Sequence, residues 1–297
     1  MSQLATDSAR IARHLELEHR GHENPVAWAT TLADPIDAHV AFSINADSDL
    51  LQRWNGVTGT IIGPENLVVP SGCAHIVSNS PRRDFGLVLQ AFFEPKRVPQ
   101  ISPTAVIHPS AQIGNLVSIG HNSVIEEDVV IHDDVVIGNN TTVLARTSIG
   151  DRSIVGSNTV LGSIGFGLER DSEQNWIRIP HIGGLEIGSD VEIGSSTVIA
   201  RGTIAATRIG PHCKIDDNVF IAHNVQVGEN TVIIANSEIS GSVKIGRNAW
   251  IAPAVTIIEG VTIGDNSLVG IGSVVIRDIP NDVVAVGNPA RVLRNRV

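Results

Sequence analysis

Residues 209–280 read IGPHCK IDDNVF IAHNVQ VGENTV IIANSE ISGSVK IGRNAW IAPAVT IIEGVT IGDNSL VGIGSV VIRDIP, twelve hexads in succession, each opening on Ile or Val. Upstream the same beat runs for three hexads from Ile187 (IGSDVE, IGSSTV, IARGTI), after which a four-residue insert, Ala205 to Arg208, shifts the frame. Further upstream it runs for eleven hexads, from ISPTAV at Ile101 to LGSIGF at Leu161. All twenty-six hexads begin with Ile, Val or Leu, and their fifth position is always Ala, Val, Ser, Thr, Gly, Cys or Ile. A period of six with two inward positions describes a short strand and a sharp turn, since a helix would repeat at about 3.6. Gly, Asn and Asp crowd the second to fourth positions, where a turn needs them.

Composition agrees with a narrow core. The 297 residues are 42% hydrophobic but only 3% aromatic, with no Tyr, one Met and 28 Gly. Aromatic rings fill wide cores, so an apolar chain without them must be filled by small β-branched side chains. The net charge of -10, from 21 basic and 31 acidic residues, argues against nucleic acid as the main partner, because phosphate binding needs a basic surface. No apolar run approaches the roughly 18 residues of a membrane span. The opening MSQLATDSARIARHLELEHR lacks an apolar stretch flanked by positive charge, so no secretory signal is expected. Two cysteines, Cys73 and Cys213, make neither a disulfide framework nor a paired metal motif. The expectation is a soluble cytoplasmic protein.

Before residue 101 the beat is absent, and the chain reads as mixed α/β. Leu4, Ile11 and Leu15 fall near helical spacing, VTGTIIG (57–63) and AHIVSN (74–79) read as short strands, and DFGLVLQAFF (84–93) reads as a second helix. The prolines of PKRVPQISP (95–103) mark a stiff junction. The expected domains are therefore 1–100 and 101–297, the latter with a loop insertion at about 167–184.

The hexads resemble the repeat of left-handed parallel β-helices. In that family three hexads make one triangular coil, so residues 18 apart stack, with coils about 4.8 Å apart. Eight to nine coils follow. A solenoid of this kind has no deep internal pocket, and the resemblance implies a homotrimer with active sites in the clefts between prisms. The stretch IGFGLERDSEQNWIRIPHIGGLEIG (164–188) with VEIGSSTVIARGTIAATRIGPHCKIDDNVFIAHN (191–224) is more specific. Its GFG, W-x-x-IP-x-x-G, VEIG, RG with Thr207, KID and IAHN resemble the UDP-3-O-acylglucosamine N-acyltransferases of lipid A synthesis. The likeness extends to HVAFSIN (39–45), similar to that family's uracil-binding segment, to VTGTIIG and to SNSPRRDFGLVLQAFF, and covers about residues 30–250.

Two features depart from it. The family's second histidine aligns with Gly260 and its second uracil-stacking aromatic with Ser48. The tail GVTIGDNSLVGIGSVVIRDIPNDVVAVGNPARVL (260–293) instead resembles CoA-dependent sugar acetyltransferases, whose hexads end in GNPA. Together these favour a short acyl-CoA, acetyl-CoA above all, and another nucleotide-linked amino sugar. The alternatives are the lipid A reaction with an acyl carrier protein thioester, O-acylation of a sugar hydroxyl, and a sugar-nucleotide-binding trimer without activity.

The resemblance implies the site residues. His223, in the IAHN turn, is the general base, since a histidine titrates near neutrality. Gly241, 18 residues on in ISGS, stacks over it with a backbone N–H left uncovered for an oxyanion. Asn224 orients the ring or the substrate. Phe42 stacks on a pyrimidine and Asn45 bonds its edge; Trp176 covers a sugar or packs on a neighbouring prism; His181 reaches the sugar or a phosphate; Arg291, beyond GNPA, meets CoA phosphates. His121, His132 and His212 read as surface, Cys213 as packing, and the spacing of the repeat's histidines predicts no metal site.

Overall fold

The computed structural model describes residues 6–46 and 49–296, which fall into two compact units, Met1–Arg97 and Val98–Val297. Leu4 and Ser48 lie outside the described residues.

The second unit is the expected left-handed parallel β-helix. Two-residue strands visit three sheets in rotation: one of nine strands from Val106–Ile107 to Val274–Val275, one of eight from Gln112–Ile113 to Thr262–Ile263, and a third from Ser118–Ile119 to Leu268–Val269. Successive coils pair in parallel at a spacing of 18 residues, as in Ile221↔Ile239 and Ile239↔Ile257. From Ile119 onward each hexad's first residue points inward, forming a continuous column of buried Ile, Val and Leu. The fourth position takes left-handed backbone, for example Asn122 (φ 57), Asp134 (φ 57), Asn224 (φ 62) and Asn236 (φ 62). Asn and Asp tolerate that region because a short polar side chain bonds locally, which is why they punctuate the repeat. Fifth-position hydroxyls bind the coils together from within: Thr141, Thr159 and Thr231 donate to the carbonyls of Gly156, Gly194 and Gly246 at 2.7–2.8 Å.

The two irregularities differ in place from the sequence reading. The chain leaves the coil after Val160–Ser163, not at 167, and rejoins at Leu185–Ile187. Within that excursion Leu168–Arg170 and Trp176–Arg178 pair as an antiparallel hairpin. The frame shift is taken up earlier than expected: Thr207 and Arg208 are already in strand, paired with Leu185 and Glu186. The surplus residues therefore lie at 201–206, where hydrogen bonds to the excursion hold them out of the coil: Ile182 N–H to Thr203 O, Gly183 N–H to Gly202 O and Gly202 N–H to Gly184 O. At the end of the prism Val283–Val286 joins the third sheet and Arg291–Asn295 folds back antiparallel against it.

The first unit is a five-stranded sheet flanked by two helices, Ser8–Leu15 and Pro81–Val88. Its strand order is His19–Arg20, Ala74–Val77, Thr60–Gly63, His39–Phe42, Trp28–Ala29, parallel except for the first pair. Val40, Ile62 and Ile76 face one side with Ile11 and Val88 of the helices, while Ala41 and Ile61 face Trp54 and Leu67 on the other. Burial on both faces is what a parallel sheet requires. Asp7 caps the first helix by accepting from Arg10 N–H at 2.7 Å, and the second widens into a π turn over Leu89–Phe93.

Because Ile245 is buried while Lys244 beside it points outward, the two positions separate core from surface. Ile245→Ala is expected to lower unfolding free energy by about 2–5 kcal/mol, and Lys244→Ala to change it by under about 0.5 kcal/mol. Chemical denaturation measures both, and equal effects would contradict the inward column.

Candidate active site

Four of the expected residues meet at one corner of the prism. Phe220–Ile221 ends a strand of the nine-stranded sheet, and the next two turn positions carry His223 and Asn224. One coil on, Gly241 stacks on the imidazole: a Cβ built there would fall 2.7 Å from His223 Cε1 and 3.1 Å from Nε2. Only glycine leaves that space to the ring. In several coils the N–H of the third hexad position is capped by a side chain from the next coil, as Asn115 N–H is by Asp133 Oδ1 at 2.7 Å and Arg247 N–H by Asp265 Oδ1 at 3.0 Å. At Gly241, as at His223 and Glu229, there is no such cap, and the Gly241 N–H has no acceptor among the described residues.

Asn224 is fixed from the frame-shift segment. Its Oδ1 accepts from Thr203 N–H at 2.8 Å, its Nδ2 donates to Thr203 Oγ1 at 3.1 Å, and its own N–H donates to Thr207 Oγ1 at 2.9 Å. The amide is thereby oriented, with Nδ2 3.1 Å from His223 Nδ1. Thr203 was not singled out by sequence. Its signal is the frame shift itself, since surplus residues placed one coil before IAHN are free to fold onto the following turn.

His181 corrects an expectation. It was read as reaching a sugar or phosphate, yet it is buried, only 5% exposed, with its ring centroid 4.7 Å from that of His223 and the planes at 57°. The excursion carries it inward: Ile179 O accepts from Nδ1–H at 3.0 Å, and Arg178 reaches back to Gly165 O at 3.0 Å. Gly165 and Gly167 of the GFG segment leave room for this ring, because a Cβ on either would lie 2.6 Å from His181 Nε2 or 3.0 Å from its Cε1. Burial, then His181, pushes the His223 pKa below its ordinary value, with Glu259 opposing.

The other expected residues stand apart. Trp176 is exposed on the hairpin with the Arg170 guanidinium 4.0 Å from its ring. Arg291 is exposed on the last strand, its guanidinium donating to Ala290 O at 2.8 Å. In the first unit Phe42 packs one face on Phe85, centroids 5.0 Å apart, so its ring serves the core and is only half exposed, while Asn45 is exposed. Both sit at the carboxyl end of strand His39–Phe42, the end where parallel sheets take ligands. His121, His132 and His212 are exposed. Cys213 is buried, donates to Gly228 O at 3.0 Å, and has its thiol pushed up to about 11 by burial, which makes it packing and not a nucleophile. No cluster of metal-ligating side chains occurs among the described residues, and no helix among them is long and apolar enough to cross a membrane.

The bacterial transferase hexapeptide (six repeats) family matches residues 128–163, 206–241 and 242–277. Similar solved structures include LpxA from Acinetobacter baumannii, at 29% identity and TM-score 0.60 over 65% of this chain and 73% of that one. LpxA of Bacteroides fragilis, a UDP-N-acetylglucosamine acyltransferase, is 27% identical at TM-score 0.59 over the same shares. The UDP-N-acetylglucosamine acyltransferase from Campylobacter jejuni is 27% identical at TM-score 0.56, again over 65% and 73%. No curated protein matches in sequence. The repeat and the solenoid define a hexapeptide-repeat left-handed β-helix. The solved structures it resembles at 27–29% identity are acyltransferases.

Proposed function

We propose that the protein moves a short acyl group, acetyl above all, from acyl-CoA to the amine of a nucleotide-linked amino sugar. The observation that carries this reading is the stack of His223 beneath the uncapped N–H of Gly241. The amine nitrogen attacks the thioester carbon and gives its proton to His223 Nε2. Gly241 N–H holds the oxyanion of the tetrahedral intermediate. Collapse breaks the C–S bond, and the proton passes from Nε2 to the departing thiolate, so free thiol and amide leave together. A depression of about 380 Å³ lined by Gln226, Lys244, Thr262 and Asp265, on the sheet that begins at the His223 corner, supports a pantetheine along the later coils, with Arg291 toward the CoA phosphates. Phe42 and Asn45, at the carboxyl end of their strand, hold the base of the nucleotide, and Trp176 covers the sugar. The active form is a homotrimer.

A second reading is favoured by the solved relatives, whose named acceptor, UDP-N-acetylglucosamine, already carries an acyl group on its amine. On that reading the acceptor is a sugar hydroxyl and the donor an acyl carrier protein thioester. A panel of UDP- and dTDP-amino sugars and UDP-N-acetylglucosamine, each with acetyl-CoA, longer acyl-CoAs and acyl carrier protein thioesters, separates the two by thiol release and product analysis. Turnover confined to carrier-protein thioesters would reject the proposal, and so would ester products alone.

The lowered pKa of His223 fixes the sign of the pH dependence. The protonated ring has no lone pair to accept the amine proton. As pH rises, kcat/KM is therefore expected to climb through an apparent pKa below the ordinary histidine value of about 6.5 and then level off until another group titrates. A His223 imidazole that titrates above that value in the free protein, followed by NMR, would contradict the burial described here.

A further inference from the structure

His223 cannot serve as a base at Nε2 in the ring orientation that Asn224 faces. Thr203 N–H fixes Asn224 Oδ1 at 2.8 Å, so the amide presents its Nδ2 donor to His223 Nδ1 at 3.1 Å. A neutral imidazole accepting at Nδ1 carries its hydrogen on Nε2. Beside it lies the opposite problem. His181 donates through Nδ1 to Ile179 O, which leaves Nε2 as its acceptor nitrogen, and that atom is buried with no partner. A buried acceptor without a donor destabilises the fold that encloses it.

Turning the His223 ring by half a turn about its Cβ–Cγ bond removes both faults. The turn exchanges Nδ1 with Cδ2 and Nε2 with Cε1, atoms of nearly equal size, so the hydrogen-bond network decides between the two orientations. His223 Cδ2 marks the edge beside His181: the point a Gly165 Cβ would occupy is 2.9 Å from that Cδ2 and 2.6 Å from His181 Nε2. His223 Cε1 is the ring atom nearest the Gly241 Cβ position, at 2.7 Å. After the turn, Nδ1–H lies on the Gly165 side of the ring, where the His181 acceptor stands empty, and Nε2 takes the position nearest the Gly241 Cβ point. Asn224 keeps both bonds to Thr203 and gives up only the one to the ring.

We propose that His181 is the positioning residue of the site: its Nε2 accepts the His223 Nδ1–H and so holds the base in the tautomer that frees Nε2 for substrate. The relay runs from the Ile179 carbonyl through His181 to His223, built by a loop residue that contacts no substrate itself. This deepens the proposed function and rests on His223 being its base.

The test uses the full chain labelled with 15N-histidine, His223 being assigned by loss of its signals in His223→Gln. In the parent protein at a pH where the ring is neutral, His223 is expected to show a protonated Nδ1 and a bare Nε2. His181→Phe keeps a ring in the cavity but offers no acceptor, and is expected to move the His223 hydrogen to Nε2. It should also lower kcat about a hundredfold, with KM changed less than about twofold. His181→Gln, whose amide oxygen accepts an N–H, should recover most of kcat; a merely structural role predicts no such rescue. A parent spectrum with His223 Nε2 protonated overturns the proposal, as does His181→Phe with parental kcat and tautomer. The spectra do not depend on turnover, so failure to find any acyl acceptor would sink the functional reading and leave the histidine pair decided on its own.

Discussion

A His223→Ala variant is expected to fold as the parent does and to lose turnover by about 10²–10⁴-fold, the range general-base catalysis supplies. Its fold is expected to survive because the ring stands at a turn, half-buried and outside the column of Ile and Val that holds the coils. Its neighbours Asn224, Thr203 and Thr207 keep their mutual bonds without it. Chemistry is lost because nothing else in the corner accepts a proton from an incoming amine: His181 Nε2 is shut inside, and Glu259 stands two coils away. Steady-state thiol release, with melting temperature as the control for folding, measures this. Activity within a few-fold of parental would remove His223 from the reaction and with it the proposed function.

What sequence could tell about this protein divides by the range of the physics. The prism was legible because its energetics are local and repeated. One inward Ile or Val per six residues, a left-handed Asn or Asp at the fourth position and a small fifth residue specify strand, turn and stacking interval at once. The stack of Gly241 on His223 follows from that interval, so it too could be read. The irregular segments could not. Whether the surplus residues sit at 201–206 or at 205–208 depends on which hydrogen bonds Gly202 and Thr203 find across the coil, and hexad counting is blind to that. His181 was named for the wrong environment for the same reason. A polar residue in a loop reads as exposed, and only the path set by Gly165, Gly167 and Arg178 turns it inward against His223. Phe42, by contrast, was read from likeness alone, and its contact with Phe85 shows how a ring at a strand end can serve the core as well as a ligand.

Gly241→Ala is expected to cut kcat by about 10²–10³-fold, about the cost of an obstructed oxyanion donor, while leaving stability nearly unchanged, the gain from alanine being offset by the displaced ring. The two effects have separate causes. Gly241 has ordinary backbone, with no positive φ, so alanine adopts it without strain and narrows the unfolded ensemble, a gain of about 0.4–1 kcal/mol where nothing clashes. Here the new Cβ does meet something: His223 Cε1 at 2.7 Å, Nε2 at 3.1 Å and Nδ1 at 3.3 Å. The ring must move, and it has little room, since Gly165 and His181 border its other edge. The methyl also crowds the approach to the Gly241 N–H, so one substitution displaces the base and shades the donor together. Gly260, one coil further on, gives the contrast. Its φ of +73 strains any alanine, yet a Cβ there meets nothing within 4 Å, so Gly260→Ala should cost about 1 kcal/mol or more of stability and leave turnover close to parental. Activity and denaturation measured on both variants give opposite patterns if the corner is catalytic. If Gly241→Ala keeps parental kcat, the uncapped N–H is only a gap in the turn ladder, and the oxyanion must be held elsewhere.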